Sequence, residues 1–440
     1  MRTPRLSRRD FALGSVSALA AASWSRVYGA NESLRLASVG VGGKGWDDLN
    51  QISASPKVSA AALCDTDESD KFLGRAATKF KDAKTFTDWR KLFDQHKTFD
   101  AVSVSTPDHM HAPVALPAMA LGKHVFCQKP LTHTVHEARQ MKLAAKKYGV
   151  VTQMGNQIQS HEAYRTAVKL VRDGTIGKVK EVHSWQSGKM GWILAPDRPK
   201  GADPVPEKLH WDEWLGSAPS RPYKKSLYHD FNWRAWQDFS NGQLGDFGCH
   251  ILDPVFMALG LTAPTTVRAK RSEMNREVWY RSSVVEYEFP GTDRTADKTV
   301  KVTWYDGEGK GPARDKLGLK ADVKLPGSGS LLIGTKGSLM VPHVAMPKLL
   351  VDGDAPAIKP EAAVNHYTTW ADACRGEGKT TSHFDYASAL TEAVLLGTVA
   401  LRVPDETLKW DTAALTVTNS KEATALLTKP YRKGWEPKWV

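Results

Sequence analysis

Short apolar runs alternate with helical segments in the first third of this chain, and this alternation restricts its possible folds more than any other feature. The runs LRLASVGVG, KVSAAALCD, FDAVSVST, HVFCQKP and GVVTQMG read as strands, and helical stretches separate most of them. Strands that alternate with helices build a parallel sheet that is covered on both faces. The sequence therefore predicts an α/β fold.

A glycine-rich turn lies between the first strand and a helix predicted from Lys44 to about residue 53. Gly40, Gly42 and Gly45 form a GxGxxG run that also contains Gly43. In dinucleotide-binding folds these glycines permit the tight turn, the approach of a pyrophosphate and close helix–strand packing. The helix N-terminus then offers N–H groups to the phosphates. This pattern predicts a Rossmann domain over residues 31–155.

Asp65 ends the second strand, at about the distance from the turn where such domains carry an acidic residue. A carboxylate there binds the ribose hydroxyls and repels a 2′-phosphate, so the sequence favours NAD over NADP. Asp65 is also a suitable helix cap, and that alternative stays open here.

The pattern changes after about residue 156. A helix (EAYRTAVKLVRDG) leads to the strand KVKEVHSWQSG and to a loop region rich in Trp and Pro that reaches about residue 240. The runs TTVRAKRS, SSVVEYEFP, KTVKVTWYDG and GSLLIGTKGSLMV alternate in part, as antiparallel strands do. We expect a C-terminal α+β domain over residues 156–440 with an open, mainly antiparallel sheet. Its last helices, from about residue 361, are candidates to pack back on the first domain.

Residues 1–30 have the features of a signal peptide. Ser7-Arg8-Arg9-Asp10-Phe11 resembles the twin-arginine (Tat) export motif, and an alanine-rich apolar stretch follows it. The Tat route carries folded proteins, so we expect a periplasmic or secreted protein. A poorly ordered amphipathic N-terminus is the alternative.

Charge and hydropathy limit the partners. The net charge is +12, of which +8 lies outside residues 1–30, and the basic residues form no long block. We therefore expect no nucleic acid partner. No apolar run after the signal is long enough to predict a membrane helix, so we expect no membrane partner after signal cleavage. Four widely spaced cysteines predict neither a disulfide framework nor a zinc site.

Further motifs follow the glycine-rich turn in a fixed order: STPDHMHAP, CQKP, GDFGCHILD and GTKGSL. With this ordered set, residues 34–405 resemble the Gfo/Idh/MocA family of oxidoreductases. The resemblance implies a dinucleotide-binding domain joined to an open-sheet domain, and oxidation of sugar hydroxyls with NAD. We also expect a homo-oligomer, either a dimer or a tetramer.

The resemblance assigns roles to single residues. Lys129 matches the catalytic lysine of the family's Glu-Lys-Pro motif, which contacts both substrate and nicotinamide, and its bond to Pro130 is implied to be cis. Asp246 and His250 match the family's aspartate–histidine pair. Further residues are implied near the nicotinamide: Thr106, Pro107 and His111. Gln128 departs from the family, because a glutamate usually precedes the lysine.

Oxidation of a secondary alcohol requires a base and stabilisation of negative charge. His250 is our first choice of base. Asp246 precedes it by four residues, so both side chains lie on one helix face and the carboxylate could orient the ring. Lys129 is a donor to the reacting oxygen or is itself the base, and the sequence leaves both roles open. Asp253 joins this face in a rival metal site, but we predict no metal.

Aromatic residues crowd the long loop region and are suited to packing against sugar rings. They are Trp185, Trp192, Trp211, Trp214, Tyr223, Tyr228, Trp233 and Trp236. More than half are expected simply to anchor loops or an oligomer interface. Our candidates for substrate binding are Asn156, Trp185, Trp233, Asp246 and His250. Gln157, next to Asn156, could also bind substrate hydroxyls, and both residues are equally suited to cap the next helix.

These inferences predict an exported, NAD-dependent oxidoreductase that acts on a sugar or glycoside. Free NAD is not dependably present outside the cytoplasm, so an exported enzyme would keep its cofactor bound and regenerate it in the site. Oxidation, elimination and re-reduction of one glycoside would do so, as would reduction of a second sugar. The alternatives are a sugar or inositol dehydrogenase with exchangeable NAD, and a carbohydrate-binding protein without turnover.

Overall fold

The structure is a computed structural model that describes residues 33–188, 197–320, 322–437 and 439. The predicted signal peptide and Trp192 lie outside these ranges. Within them the chain forms one parallel sheet of six strands and one mixed sheet of nine. The predicted α/β fold class is confirmed.

The first sheet is wholly parallel and has the order β3-β2-β1-β4-β5-β6. The strand order reverses between β1 and β4, which opens a crevice at the carboxyl ends of the strands. The sequence missed β3, which spans only three residues and is largely exposed. The strands are β1 Leu34–Val39, β2 Val58–Cys64, β3 Lys84–Phe86, β4 Ala101–Val104, β5 His124–Cys127 and β6 Thr152–Met154.

The second sheet has the order β13-β12-β11-β7-β10-β9-β8-β14-β15, and only β7 and β10 run parallel among its described pairs. The run GSLLIGTKGSLMV, predicted as one strand, forms two strands of a hairpin, because Gly337 (φ +149°) lets the chain turn before β12. The strands are β7 Val179–Gln186, β8 Thr266–Arg271, β9 Ser283–Pro290, β10 Thr299–Asp306, β11 Ser328–Gly334, β12 Ser338–Pro342, β13 Lys348–Leu350, β14 Thr407–Asp411 and β15 Thr416–Val417.

Helices cover both faces of the first sheet and one face of the second. In the described ranges they are α1 Gly43–Ile52, α2 Leu73–Lys79, α3 Trp89–Asp94, α4 His111–Ala120, α5 Val135–Tyr148, α6 Glu162–Arg172, α7 Trp211–Leu215, α8 Gly242–Ile251, α9 Asp253–Leu259, α10 His366–Cys374, α11 Phe384–Arg402 and α12 Lys421–Ala425.

Two late helices connect the domains. Helix α10 packs on α1, and its Trp370 is fully buried beside Phe126 of β5. Helix α11 packs between α5 and α8, and Arg139 of α5 pairs with Glu392 of α11 at 2.8 Å. By length and composition α11 would pass for a membrane span, but 83% of that window is buried inside the protein. Its apolar character is therefore explained by its place in the core.

The long loop region forms an aromatic cluster that sits beside the crevice. Its members pack against one another, which is the anchoring role expected for most of the aromatic residues. They include Trp211, Trp214, Tyr223, Tyr228, Trp233, Trp236 and Phe239. The backbone of this region is hydrogen-bonded to the loop after β2, where Glu68 N–H donates to Lys208 O and His210 N–H donates to Thr66 O, both at 2.8 Å. The second domain thereby covers one side of the crevice.

Candidate active site

A cavity of about 780 Å³ lies between the two domains, over the carboxyl ends of the first sheet. At one end it is lined by Gly40 and Asp65, and at the other by Lys129, Asp246 and His250. These five residues, predicted to bind a dinucleotide or to act on a substrate, therefore face a single space.

The glycine-rich turn has the geometry that the motif predicts. Gly40 adopts φ +80°, and a Cβ there would lie 2.6 Å from Ser105 O. A Cβ on Gly45 would lie 2.0 Å from Gly40 O, so only glycine lets α1 pack this close to the turn. Gly43, at φ +47°, also lines the cavity. No described side chain caps α1, which leaves its first N–H groups for an anion.

Gly42 packs against an aromatic ring. A Cβ on this residue would overlap Phe72, lying 1.8 Å from its Cδ1. The second glycine of the motif is the one that lets a pyrophosphate approach the backbone. The Phe72 ring and a pyrophosphate cannot both lie against this α-carbon, so a dinucleotide bound in this way requires the ring to move aside.

Asp65 faces the cavity and also stabilises the glycine-rich turn through hydrogen bonds. Its carboxylate accepts hydrogen bonds from the N–H groups of Val41 (2.8 Å), Gly42 (3.2 Å) and Asp67 (3.1 Å). Burial raises the pKa of Asp65, whereas the hydrogen bonds from Val41 and Asp67 act to lower it. The residues present thus fit the adenosine half of a dinucleotide, with Asp65 at the ribose position.

Lys129 follows β5 and reaches across the domain boundary to α8. Its bond to Pro130 is cis, as the resemblance implied. Its Nζ donates to Asp246 Oδ1 at 2.6 Å and to Asp246 O at 2.8 Å, and only 14% of its side chain is exposed. An ammonium has three donors. Two are therefore engaged with Asp246, and one is left for a ligand in the cavity.

Asp246 binds cations rather than the histidine one turn later. Its carboxylate lies 2.6 Å from Lys129 Nζ and 3.6 Å from Arg234 Nε. Burial acts to raise its pKa, but these two cations lower the pKa of Asp246 to about 2. The contact that would let Asp246 orient His250 is not among the hydrogen bonds of the described residues, and Asp246 Oδ1 is engaged by Lys129 and Arg234 instead.

His250 lines the cavity with a ring that stays neutral. Burial, followed by the charge of Lys129, lowers the pKa of His250 well below its ordinary value. Its Nδ1 is buried and has no hydrogen-bond partner among the described residues, so Nε2 is the nitrogen open to the cavity. A neutral imidazole can accept a proton there.

Gln128 contacts a buried carboxylate. Gln128 Nε2 donates to Asp48 Oδ2 at 2.7 Å, and Ser105 Oγ donates to the same oxygen at 2.8 Å. Asp48 is fully buried in α1 and pairs with Lys44 Nζ at 2.8 Å. Gln128 in turn accepts the Lys129 N–H at 3.3 Å. A buried carboxylate from the helix of the glycine-rich turn thus lies next to residue 128.

Of the three predicted residues that follow β4, two line the cavity and one lies behind them. Thr106 and Pro107 line the cavity. His111, also expected there, lies behind them at 1% exposure, with Nδ1 2.8 Å from Pro130 O and Nε2 2.9 Å from Thr106 O. Burial lowers its pKa to about 4. His111 therefore ties the Thr106 loop to the Lys129–Pro130 turn and does not face a ligand.

Two predicted substrate-binding residues lie elsewhere. Trp185 is 1% exposed on the opposite face of the second sheet, where it packs on Leu331 and donates to Pro326 O at 2.8 Å. The strand pleat causes this, since Ser184 takes the face toward α8. Asn156 is fully buried and accepts from Ser382 Oγ at 2.6 Å.

The structure brings other side chains to the substrate end of the cavity. Trp233 lies there as predicted, and sequence reasoning missed its neighbour Arg234, whose guanidinium is 4.3 Å from the Trp233 ring. Of the two adjacent candidates Asn156 and Gln157, only Gln157 lines the cavity. Phe231, 49% exposed, completes this wall.

The rival metal site does not assemble. Asp253 is buried in α9, where its Oδ1 accepts from Gln159 Nε2 (2.9 Å) and from Tyr386 OH (2.5 Å). Over the described residues, no three or more His, Cys, Asp or Glu side chains form a group suited to a metal ion.

Asp108 is a further ionisable group that the sequence did not single out. It lines the cavity and accepts the Asn241 N–H at 3.1 Å. Burial raises the pKa of Asp108 to about 7, although the Lys129 ammonium acts in the opposite direction. A carboxyl group with this pKa changes charge in the working range of most enzymes.

Replacement of Asp108 by Asn therefore changes two pH profiles. We expect the pH profile of kcat/KM to lose an ionisation near pH 7. Because the folded pKa exceeds the unfolded value of about 4, Asp108 contributes stability that the wild type loses as the pH rises from about 4 to 7, and the Asn variant lacks this contribution. Melting temperatures of both proteins at pH 5 and pH 8 test this. If the wild type and the variant show the same change in melting temperature between pH 5 and pH 8, the assignment of this pKa to Asp108 is wrong.

Two family models match the chain in succession. Residues 34–156 match the model described as the oxidoreductase family with an NAD-binding Rossmann fold, named GFO_IDH_MocA. Residues 163–290 match the C-terminal alpha/beta domain of the same oxidoreductase family. Together the two matches cover more than half of the chain and both sides of the cavity.

Curated relatives match over part of their length. A levoglucosan dehydrogenase of Pseudarthrobacter phenanthrenivorans is 26% identical over 178 residues, which are 40% of this chain and 37% of the relative. A glycosyl hydrolase family 109 protein of Shewanella sp. is 28% identical over 168 residues, 37% of this chain and 36% of the relative. The chain thus spans well under half the length of these relatives.

Solved structures share the fold at low identity. The WlbA dehydrogenase of Bordetella pertussis, in complex with NADH and UDP-GlcNAcA, has a TM-score of 0.61 at 16% identity, covering 86% of this chain and 99% of that one. A putative oxidoreductase from Thermotoga maritima has the same TM-score at 16% identity, covering 86% of this chain and 100% of that one.

Proposed function

Since this chain belongs to the Gfo/Idh/MocA family of oxidoreductases, we propose that it is an NAD-dependent enzyme that acts on a secondary hydroxyl of a sugar or glycoside. One observation carries the proposal. Lys129 from the first domain and Asp246 and His250 from the second meet at the end of a cavity whose other end is the glycine-rich turn.

The side chains at this end divide the work of alcohol oxidation. Nicotinamide, when bound, supplies the hydride acceptor. Lys129, oriented by its two hydrogen bonds to Asp246, directs its third donor at the substrate oxygen and stabilises negative charge that develops there. His250, neutral and with Nε2 open to the cavity, takes the hydroxyl proton.

The walls of the cavity suit a carbohydrate. Trp233 and Phe231 offer aromatic surfaces to the apolar face of a sugar ring. Arg234 and Gln157 offer polar groups beside them, and Gln157 Oε1 is a buried acceptor with no partner among the described residues. The names of the relatives, which include an anhydrosugar dehydrogenase and a family 109 glycosyl hydrolase, support the same substrate class.

We further propose that NAD is preferred over NADP and stays bound. Asp65, at the ribose position, would repel a 2′-phosphate. The twin-arginine motif supports export of the folded, loaded protein to the periplasm or medium, where cofactor would not be replenished. Regeneration within the site then favours a cycle of oxidation, elimination and re-reduction on one glycoside.

The test is to purify the protein from a host with a working Tat pathway and to measure nicotinamide released by denaturation. Glycosides and free sugars are then incubated with it, and the products are identified by NMR with and without added NAD. Cleavage of a glycoside with no added acceptor is the expected result. An absolute need for added NAD would contradict retention, and turnover of no sugar at all would contradict the substrate class.

A further inference from the structure

The segment after α12 runs back across both domains and is fixed by buried polar contacts. Lys429, with 14% of its side chain exposed, donates from Nζ to His109 O at 3.0 Å and pairs with the fully buried Glu137 at 3.3 Å. Tyr431 OH donates to the same Glu137 at 2.6 Å. These contacts anchor the segment, which we call the tail (residues 428–437), on the first domain.

A second set of contacts anchors the tail on the loop region. Arg432 Nε donates to Gly216 O at 2.8 Å, and its Nη2 donates to Asp212 O at 2.7 Å. The Arg432 N–H also donates to Ser217 O at 3.1 Å. Because charged and backbone groups from both domains hold it, the tail has a defined course at the domain boundary.

With the tail held by these contacts, Trp435 lies at the cavity. The residue is 7% exposed, and its ring lies against the guanidinium of Arg90, 3.9 Å from the centroid. It lines the cavity with Asp88 and Trp89, the residues that follow β3. In a parallel sheet, the loop after β3 lies beside the loop after β2, which carries Asp65. Trp435 therefore stands at the end of the cavity where Asp65 marks the ribose position.

We propose that Trp435 forms a wall of the adenosine-binding end of this cavity and that the tail slows nucleotide release. This inference rests on the proposed nucleotide binding. An indole face offers a purine a large apolar surface at little conformational cost. The guanidiniums of Arg90 and Arg432 lie 3.9 Å and 5.1 Å from the centre of this ring, so the indole is held in place before a ligand arrives. A wall supplied by a tail that both domains anchor must be displaced before adenosine can leave.

The experiment compares two halves of the cofactor as separate probes. ADP-ribose contains the adenosine end, and nicotinamide mononucleotide does not. Calorimetry with Trp435→Ala should show ADP-ribose binding weakened by about tenfold or more and mononucleotide binding within twofold of wild type. The dissociation rate of NAD should rise by a similar factor.

Trp439 provides the matched control. It lies four residues further on, is 41% exposed, and packs on His136 and Tyr431 rather than on the cavity. Trp439→Ala should leave ADP-ribose binding within twofold of wild type. Trp435→Phe keeps an aromatic face and should give an ADP-ribose affinity between those of wild type and Trp435→Ala. An intermediate value would show that the loss in the alanine variant does not come from a folding defect.

The outcomes separate this inference from the proposed function. Equal ADP-ribose affinity in wild type, Trp435→Ala and Trp435→Phe would overturn the role of the tail. No ADP-ribose binding by the wild type would overturn nucleotide binding itself, and the inference with it. Equal weakening of ADP-ribose and mononucleotide would show that Trp435 supports the fold and not the adenosine end, and would also overturn it.

Discussion

Lys129→Met should lower kcat by about a thousandfold while NAD affinity changes only a few-fold. The expected loss follows from the removal of the Lys129 donor that we propose for the reacting oxygen, since single donors to developing negative charge contribute about 10²–10³ in rate. NAD affinity is largely preserved because the glycine-rich turn and Asp65 are untouched. Stopped-flow reduction of bound NAD by a good sugar substrate and calorimetry with NAD measure the two quantities.

Lys123→Met is the matched control for this experiment. Lys123 precedes β5 and Lys129 follows it, so the two lysines lie at opposite ends of one strand. Lys123 donates to Phe99 O at 2.9 Å and does not line the cavity. Its substitution should leave kcat within twofold. A Lys129→Met variant with kcat within tenfold of wild type would refute the assigned role.

Gln128→Glu, the substitution that restores the usual family residue, should destabilise this protein. The new carboxylate would lie within hydrogen-bond distance of Asp48, which is fully buried and already accepts from Ser105. Two buried carboxylates in contact cannot both ionise without a large penalty. We expect a loss of about 2–4 kcal/mol at neutral pH. The loss should shrink as the pH falls, because a shared proton then relieves the repulsion.

Asp48→Asn on the Gln128→Glu background should restore much of that stability. The amide and the carboxylate exchange places, so one hydrogen bond still joins residues 48 and 128. Urea denaturation of the wild type, both single variants and the double variant gives the coupling free energy. Strictly additive effects would show that the two side chains do not interact. The double variant should also keep turnover, because a carboxylate oxygen at position 128 can accept the Lys129 N–H that Gln128 accepts in the wild type.

The first domain was largely predictable because its signals are local. Strand–helix alternation, the GxGxxG turn and Asp65 each depend on residues close in sequence, and the structure places them as expected. The Lys44–Asp48 pair also had a local signal, since its residues are spaced i, i+4 on a helix. The hydrogen bond between Asp48 and Gln128 had no local signal in the sequence, because it joins residues 80 positions apart.

The substrate end of the cavity was harder to predict, because it depends on the direction of side chains and on contacts between residues far apart in the sequence. Trp185 is an aromatic residue of the expected type, but the parity of β7 turns it to the other face of the sheet. Arg234 and Gln157 reach the cavity through irregular segments, where sequence periodicity says nothing about direction. Trp435 arrives through a tail whose position is fixed by contacts with residues hundreds of positions away.

The position of the tail also bears on the order of events during synthesis. Lys429 contacts His109, 320 positions earlier in the chain. During synthesis, the strands of the first sheet and the glycine-rich turn emerge long before Trp435. The side of the cavity that Trp435 lines can therefore be completed only after the tail has been synthesised and has docked on both domains.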